Sequence, residues 1–185
     1  MKCIIEHLES EMHDWCVIEY SRVSEIVGKD NLIFTNVPKK DVELIKHLGT
    51  INTKSIEELD LKNKNLCVLD PNAEKLLSPN ENFDYYVFGG ILGDDPPSPR
   101  TKDELKVNGE RRHLGKDQFP TDNAVLVTKK ISDGSEYDKI PFQLQYEVTI
   151  QEGESVVLPF KYVLENGKPF ISEKIIEIIK KEEGF

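Results

Sequence analysis

The sequence predicts an α/β domain built around a largely parallel β-sheet. Two observations lead to this fold class: short apolar segments of strand length recur along the chain, and segments with the 3.6-residue periodicity of amphipathic helices separate them. Such alternation is typical of parallel sheets, because a crossover helix connects neighbouring parallel strands. The chain has 185 residues, no internal repeat and no dividing linker, so we expect one domain over residues 1–185.

The first half of the chain supplies four predicted strands and two predicted helices. Gly28 ends the first helix, because glycine readily adopts the positive φ that follows a helix C-terminus. A short second helix begins after Pro38, runs through VELIKHL and ends at Gly49. The strands are residues 2–6 (KCIIE), 32–35 (LIFT), 65–70 (NLCVLD) and 84–88 (DYYVF), and the first helix is residues 14–27 (DWCVIEYSRVSEIV).

The second half is predicted to contain two helices and a hairpin. Thr121 or Asp122 can cap a helix that runs through NAVLVTKKI. Asn166 and Gly167 stand between two apolar runs, which is the usual signal of a two-residue hairpin turn. Ser172 is the expected cap of a C-terminal helix with the sequence EKIIEIIKK.

Charge narrows the classes of partner. The formal net charge is −10, whereas nucleic-acid binding depends on lysines and arginines that neutralise phosphates. A basic protein or peptide would instead be attracted to this chain. Charge by itself nevertheless favours the simpler interpretation, which is that it keeps the protein soluble.

Cysteine usage and hydropathy predict a cytoplasmic protein without a membrane span. Cys3, Cys16 and Cys67 are odd in number and lack paired spacing, so we expect free thiols in a reducing compartment. The N-terminal segment MKCIIEHLESEMHD becomes acidic after four residues, unlike a secretory signal, and no apolar run approaches the ~20 residues needed to cross a bilayer. No CxxC, HxxxH or HExxH pattern is present, so no metal site is predicted.

Polar residues and bare backbone follow three of the predicted strands. In open α/β sheets, ligands bind beyond the carboxyl ends of the strands. We therefore expect carboxylates, an imidazole and exposed main chain at one edge of the sheet, although any strand must end in turn residues. The pairs that end these strands are Glu6-His7, Asp70-Pro71 and Gly89-Gly90.

Glu19 lies inside the apolar stripe of the first predicted helix. At about 100° per residue it falls close to Val23 and Ile26, one turn after Trp15. A buried carboxylate needs a cation or a strong hydrogen-bond donor, because its desolvation is costly. The partner is either Arg22 on the same helix or a bound cationic ligand, and the sequence leaves both alternatives open.

The glycines of FGGILGDDPPSP open a region, about residues 93–110, for which no regular structure is predicted. This block differs from the dinucleotide fingerprint G-x-G-x-x-G, and its three prolines prevent the immediate helix that a phosphate site requires. The glycines therefore suit a flat neutral or cationic ligand. Leu114 and Gly115 in RRHLGKDQFPTDNAV form a second candidate wall. Each segment alone could be a tight turn, but together they predict a cofactor pocket.

Several blocks of the chain, taken together, resemble a small family of SPOUT-class methyltransferases. The blocks are MKCIIEH, W..IEYS, LDP, FDYYVFGGILGDDPP, RRHLG, TDNAV and LPFKYVL, in the same order from residue 1 to about residue 181. The family is described as predicted S-adenosylmethionine-dependent RNA methyltransferases, and a fungal member is an arginine methyltransferase that acts on a protein of the small ribosomal subunit. The resemblance implies a SPOUT-type fold with a trefoil knot in the C-terminal half.

The resemblance also implies where S-adenosylmethionine, the methyl donor, binds. Three loops of the knot are expected to hold it. The residues expected to bind the donor are Leu69, Asp70, Pro71, Gly89, Gly90, Ile91, Leu92, Gly93, Leu114, Gly115, Gln118, Phe119 and Thr121.

Arginine methylation requires acidic groups beside the donor. A guanidinium stays protonated, with a pKa above ~12, and is therefore a poor nucleophile. Carboxylates can hold its charge on two nitrogens and aim the third. We expect Glu6 and Glu19 to fill these catalytic roles, with His7 and Asp94 as secondary candidates. The location of all four is supported by the family resemblance.

Three alternatives remain for the function: methylation of RNA, methylation of a basic protein, and binding without catalysis. RNA would require a basic face, yet the basic residues of the segment 100–112 lie among acidic ones. We therefore favour a basic protein of the small ribosomal subunit over RNA, and a non-catalytic adaptor that binds such a protein is the third alternative. SPOUT enzymes are usually dimers, whereas the fungal relative suggests a monomer, so a monomer and a homodimer both stay open.

Overall fold

The computed structural model describes residues 1–93 and 100–183, with the backbone alone for Lys102, Glu182 and Glu183. Six strands form one parallel sheet, which confirms the predicted fold class and includes the four strands predicted in this part of the chain. In chain order they are β1 (Cys3–His7), β2 (Leu32–Thr35), β3 (Thr50–Ile51), β4 (Leu66–Leu69), β5 (Tyr85–Gly90) and β6 (Glu110–Arg112). Their order across the sheet is β3-β2-β1-β5-β4-β6. The central register pairs Glu6 with Gly89 and His7 with Gly90, so β1 and β5 end side by side.

The described part of the chain contains five α-helices. They are α1 (Asp14–Val27), α2 (Val42–Ile45), α3 (Arg100–Glu104), α4 (Thr121–Ser132) and α5 (Glu173–Glu183). Helices α1 and α4 pack against each other on the sheet face that carries Cys3 and Ile5. Ile4 points to the opposite face, because side chains alternate along a strand, and it packs there with Ile56 and Leu105. In the described part of the chain, none of the helices combines the length and the apolar character needed to span a bilayer.

The first predicted helix is confirmed at both ends, whereas the predicted cap of α4 is wrong. Gly28 follows α1 with φ +80°. The N-cap residue is Pro120, so Thr121 and Asp122 lie within the first turn of α4. Oε2 of Glu19 accepts a hydrogen bond from the Thr121 backbone N–H at 3.1 Å, and Oδ1 of Asp122 accepts from the Asn123 N–H at 2.7 Å. One acceptor for the helix N-terminus therefore comes from the neighbouring helix.

A second, antiparallel sheet follows α4. It consists of β7 (Phe142–Gln151), β8 (Glu154–Glu165) and β9 (Lys168–Pro169), in the order β7-β8-β9. The predicted turn between β8 and β9 is confirmed, because Asn166 and Gly167 have φ of +52° and +76°. The predicted cap of α5 is also confirmed, since the Lys174 N–H donates to Oγ of Ser172 at 3.3 Å.

Strands β3 and β6 were not predicted, and strand β7 and helix α3 also differ from the sequence predictions. Strand β7 was not predicted, and its alternating half-buried and exposed residues explain why the apolar pattern is weak there. The region predicted to be irregular, about residues 93–110, contains helix α3 and the first residue of β6 within its described part. One side of β8, including Leu158 and Tyr162, packs with Ile175 and Ile179 of α5 in a separate hydrophobic cluster.

Candidate active site

A cavity of about 620 Å³ opens where β4 and β5 end. Its size lies within the range of small-molecule sites, roughly 300–1,000 Å³. The loop after β4, the loop after β5 and the segment before α4 form its walls. The lining residues are Leu69, Asp70, Pro71, Asn72, Ala73, Phe88, Gly89, Ile91, Gly93, Arg100, Thr101, Leu114, Gly115, Lys116, Asp117, Gln118, Phe119, Thr121 and Ala124.

The loop after β4 is held by Asp70. Its Oδ1 accepts a hydrogen bond from the Asn72 N–H at 2.9 Å, which closes a turn, and its Oδ2 accepts from Nη1 of Arg111 at 2.7 Å. The backbone N–H of Asp70 donates to the carbonyl oxygen of Arg112 on β6. Because Asp70 is buried and fully engaged, it fixes the position of the cavity wall.

Two glycines in the walls are required by close packing. A Cβ on Gly93 would lie 2.2 Å from Nε2 of Gln118 and 2.3 Å from Cε1 of Phe160. Gly115 has φ +88°, and a Cβ there would lie 2.2 Å from the hydroxyl oxygen of Tyr137. The absence of a side chain therefore lets Gly93 pack against Gln118 and Phe160, and Gly115 pack against Tyr137.

All but two of the residues predicted to bind the methyl donor line this cavity. The exceptions are Gly90 and Leu92. Leu92 contributes its backbone N–H to Oε1 of Glu9 at 2.9 Å. Gly90 is bare because a Cβ there would lie 2.1 Å from the hydroxyl oxygen of Tyr20.

The residues of the cavity fit S-adenosylmethionine. Leu69, Phe88 and Leu114 supply apolar surface for a flat base, and the glycine backbone leaves room along the strand ends. Asp70 and Asp117 also line these walls, and their carboxylates are paired with Arg111 and Lys161, so they shape the cavity. The trefoil knot stays a prediction.

Replacing Gly90 by alanine should lower the free energy of unfolding by about 2–4 kcal/mol, because the new methyl group would displace the buried Tyr20 hydroxyl from its hydrogen bond with His7. The midpoint of urea unfolding measures this loss. Gly89→Ala is the matched control, since its Cβ would meet only side-chain carbons of Ile91 and Leu8, at 3.0 and 3.3 Å. Equal midpoints for Gly90→Ala and the wild type would contradict the packing argument.

Glu6 is buried, and the hydrogen bonds of its carboxylate join three segments of the chain. Oε1 accepts from Oγ of Ser55 at 2.7 Å, and Oε2 accepts from the Ile56 N–H at 3.0 Å and from the Thr35 hydroxyl. Because Glu6 alternates with Ile5 along β1, it lies on the sheet face opposite α1 and Glu19. The structure therefore does not bring Glu6 and Glu19 together, and the contacts of Glu6 are those of a structural tie.

His7 is also buried, and it lies outside the cavity walls. Its Nε2 must donate to the carbonyl oxygen of Glu11 at 3.2 Å, so Nδ1 accepts from the Tyr20 hydroxyl at 2.8 Å. Burial lowers the pKa of His7, which agrees with a neutral imidazole. Its contacts fix α1 against β1.

Glu19 is the predicted catalytic residue that reaches the cavity region. It is buried, its Oε1 accepts from Nε1 of Trp15 at 2.9 Å, and its Oε2 accepts from the N–H of Thr121, which lines the cavity. Burial, and secondarily the charge of Asp122, raise the pKa of Glu19 from 4.5 to about 8. Within the described residues, no basic side chain forms an ion pair with Glu19.

Arg22, the alternative partner of Glu19, binds Asp122 instead. Its Nε lies 2.7 Å from Oδ2 of Asp122, and its guanidinium stacks on the ring of Phe170 at 3.6 Å from the centroid. Oδ1 of Asp122 accepts from the Asn123 N–H at 2.7 Å. The site therefore contains two buried carboxyl groups and one guanidinium, which leaves Glu19 available for a second cation.

Two further points concern the predicted site residues. Asp94 lies outside the residues that the structure describes. Asp122 was weighed only as a helix cap, and its place beside Glu19 depends on contacts between α1 and α4 that no local pattern shows.

Comparisons with known proteins agree with a methyltransferase site. A family model described as protein arginine N-methyltransferase SFM1-like matches residues 2–184. The protein arginine N-methyltransferase SFM1 of Saccharomyces cerevisiae is 37% identical over 204 residues, which cover 98% of this chain and 95% of the yeast protein.

Solved structures of the yeast enzyme resemble the whole chain. The complex with SAM superposes with a TM-score of 0.90 at 36% identity, covering 100% of this chain and 92% of the other. The complex with SAH has a TM-score of 0.86 at 36% identity, covering 96% and 94%. A dual-specific Trm10 of Thermococcus kodakaraensis has a TM-score of 0.60 at 17% identity, covering 75% and 96%, and shows the shared SPOUT-type fold alone.

Proposed function

This chain belongs to the SFM1-like family of protein arginine N-methyltransferases, and on that premise we propose that its substrate is a basic protein of the small ribosomal subunit. The chain is an S-adenosylmethionine-dependent methyltransferase of the SPOUT class that acts on arginine. The proposal concerns the acceptor and the residues that bind it.

The cavity walls hold the donor, and the remaining task is to prepare the acceptor nitrogen. S-adenosylmethionine supplies a methyl group on a positively charged sulfur, and its carbon–sulfur bond breaks as a carbon–nitrogen bond forms. Alignment of the nucleophile in such a displacement can supply ~7–11 kcal/mol. The residues of the chain must therefore orient the guanidinium, keep out water and accept one proton.

The observation that carries the proposal is the uncompensated carboxyl group of Glu19. Its oxygens bind Trp15 and Thr121, and Thr121 also lines the donor cavity. A substrate guanidinium would supply the cation that this buried group lacks among the described residues. Glu19 would hold two nitrogens, direct the third toward the donor and accept the proton that methylation releases. We assign Glu6 and His7 to structural support, because their contacts are already made by the protein.

The arginines near the cavity favour a protein substrate over RNA. Nη1 of Arg100 lies 2.8 Å from Oε1 of Glu9, Nη1 of Arg111 lies 2.7 Å from Oδ2 of Asp70, and Nη2 of Arg112 lies 2.5 Å from Oε1 of Glu81. Each of these guanidinium groups is thus neutralised by a carboxylate. A phosphate backbone would have to break these pairs, whereas the net charge of −10 attracts a basic protein.

We place the reaction in the cytoplasm, where small ribosomal subunits translate. Three buried cysteines, Cys3, Cys16 and Cys67, are free thiols, which suits a reducing compartment.

Ribosomal fractions incubated with the enzyme and methyl-labelled S-adenosylmethionine should carry the label in protein. Protease digestion should release the label, ribonuclease should leave it in place, and acid hydrolysis should return it as methylarginine. The acidic surface and the buried carboxyl group at the cavity are the physical reasons for this expectation. Gel electrophoresis followed by mass spectrometry identifies the labelled protein.

The Glu19→Gln variant serves as the control, because it should bind the donor without transferring the label. Release of the label by ribonuclease alone would establish the RNA alternative. Calorimetry separates the adaptor alternative, since an adaptor would bind ribosomal protein without binding S-adenosylmethionine.

A further inference from the structure

The hydroxyl group of Tyr162 is buried, and it has no hydrogen-bond partner among the residues that the structure describes. Tyr162 lies on β8 and is 1% exposed, and none of the described residues donates to or accepts from its hydroxyl. Such groups are rare in folded proteins, because an unpaired polar atom loses its hydration without compensation. The hydroxyl therefore needs a partner from outside the described residues, either a ligand atom or a buried water molecule.

The backbone of β8 is tied to the first turn of α4 next to Tyr162. The Val163 N–H donates to Oδ1 of Asn123 at 2.8 Å, and the Asn123 N–H donates to Oδ1 of Asp122 at 2.7 Å. Burial, and then the charges of Asp122 and Glu19, raise the pKa of Tyr162. Its hydroxyl is thus neutral and lies in the field of both carboxyl groups of the site.

Phe160 connects Tyr162 with the donor cavity. It precedes Tyr162 by two residues, and both pack in the same hydrophobic cluster, beside the register shift between β7 and β8. The ring of Phe160 packs against Gly93, which lines the cavity. Trp15, the donor to Glu19, packs in the same hydrophobic cluster as Phe160 and Tyr162. Tyr162 therefore packs with residues that contact Glu19 and with residues that adjoin the wall of the donor cavity.

We infer that the Tyr162 hydroxyl oxygen accepts a hydrogen bond from the substrate guanidinium that Glu19 binds. This inference rests on the proposed function and adds a specificity-determining residue to it. A guanidinium presents five N–H donors in one plane, so a carboxylate can bind two nitrogens while a phenol oxygen binds the other edge. The rings of Trp15 and Phe160 supply aromatic surface for the flat cation.

A single-atom substitution tests the inference. Tyr162→Phe should lower kcat/KM for the labelled ribosomal protein by about 10- to 100-fold, because a hydrogen bond to a charged group is lost. The dissociation constant of S-adenosylmethionine, measured by calorimetry, should stay the same. The urea midpoint should stay the same or rise, since the variant removes an unpaired buried oxygen.

Tyr146→Phe is the matched control. Tyr146 is a half-buried neighbour in the same cluster, and its ring centroid lies 6.2 Å from that of Tyr162. Its kcat/KM should change by about twofold at most, as expected for a residue that does not touch the substrate.

The outcomes separate the inference from the proposed function. If the wild type labels no arginine, the proposed function fails. If the wild type labels arginine and Tyr162→Phe has the same kcat/KM, the inference fails and a buried water molecule accounts for the hydroxyl. A lower urea midpoint or a weakened donor affinity in Tyr162→Phe would assign the hydroxyl a structural role and overturn the inference as well.

Discussion

Glu19→Gln should reduce kcat for arginine methylation by about 10²- to 10⁴-fold while the dissociation constant of S-adenosylmethionine stays unchanged. Glutamine has the shape of the carboxyl group, and its oxygen can still accept from Trp15 or from the Thr121 N–H. It cannot neutralise a guanidinium or accept the released proton. Single-turnover methyl transfer and calorimetric titration with the donor measure the two quantities separately.

The pH dependence provides a second readout of Glu19. Because its pKa is raised to about 8, the free enzyme contains mostly the protonated group at pH 7, and kcat/KM should rise with pH and level off above pH 8. Glu19→Gln should lack this rise.

Stability should show the opposite trend. The contribution of Glu19 is fully present below its unfolded pKa of 4.5 and is lost as pH rises toward 8, because the folded protein keeps a proton that the unfolded chain releases. The wild type should therefore lose up to about 1.4 kcal/mol per pH unit across this range from Glu19, and Glu19→Gln should not.

Glu25→Gln is the control for both measurements, because Glu25 lies on the same helix and is exposed. Its methylation rate and its pH profile should match those of the wild type. Equal single-turnover rates for Glu19→Gln and the wild type would remove Glu19 from the reaction and leave it as a cap of α4.

The sequence predicts the parallel sheet well because its strands are buried on both faces. The residues of β4 from Leu66 to Leu69 are all buried, so the strand appears as an uninterrupted apolar run. Helix α1 has its predicted bounds, since its apolar stripe and Gly28 are local signals. Most residues of β7 are half-buried or exposed. Its sequence therefore mixes polar and apolar residues and lacks the continuous apolar run that identifies a buried strand.

The candidate site could be predicted only in part because its key contacts join distant segments. Glu19 stands out locally as a carboxylate within an apolar stripe. By contrast, Arg22 and Asp122 are 100 residues apart, so the loss of Arg22 as a partner of Glu19 depends on how α1 meets α4. Glu6 follows a strand as a catalytic residue would, but Thr35 and Ser55 bind it from two other segments. Sequence position alone could not distinguish these two carboxylates.

Arg22→Met should lower the free energy of unfolding by about 3–5 kcal/mol at pH 8, because it leaves Asp122 as an unpaired buried charge. The side chain of Asp122 is 2% exposed and that of Arg22 is 17% exposed, so solvent screens their interaction weakly. The substitution also removes the stacking of the guanidinium on Phe170. Urea unfolding at a series of pH values measures the loss.

The defect should grow with pH. Burial raises the pKa of Asp122 above 3.8, and the charge of Arg22 opposes this rise. Without Arg22 the pKa of Asp122 should rise further. The pKa of Glu19 should change as well, because the charge of Asp122 is one of the causes that raise it. Because a raised carboxyl pKa contributes stability below the unfolded value and loses it as pH increases, Arg22→Met should differ least from the wild type in acid and most at pH 8.

A second substitution distinguishes a buried charge from lost packing. Adding Asp122→Asn to Arg22→Met should restore part of the stability at pH 8, since the neutral amide needs no cation and can still accept from the Asn123 N–H. Lys46→Met is the control for loss of a surface pair with Glu43 and should cost less than about 1 kcal/mol. A defect in Arg22→Met that is independent of pH and unrelieved by Asp122→Asn would show that the stacking on Phe170, and not the ion pair, accounts for the contribution of Arg22 to stability.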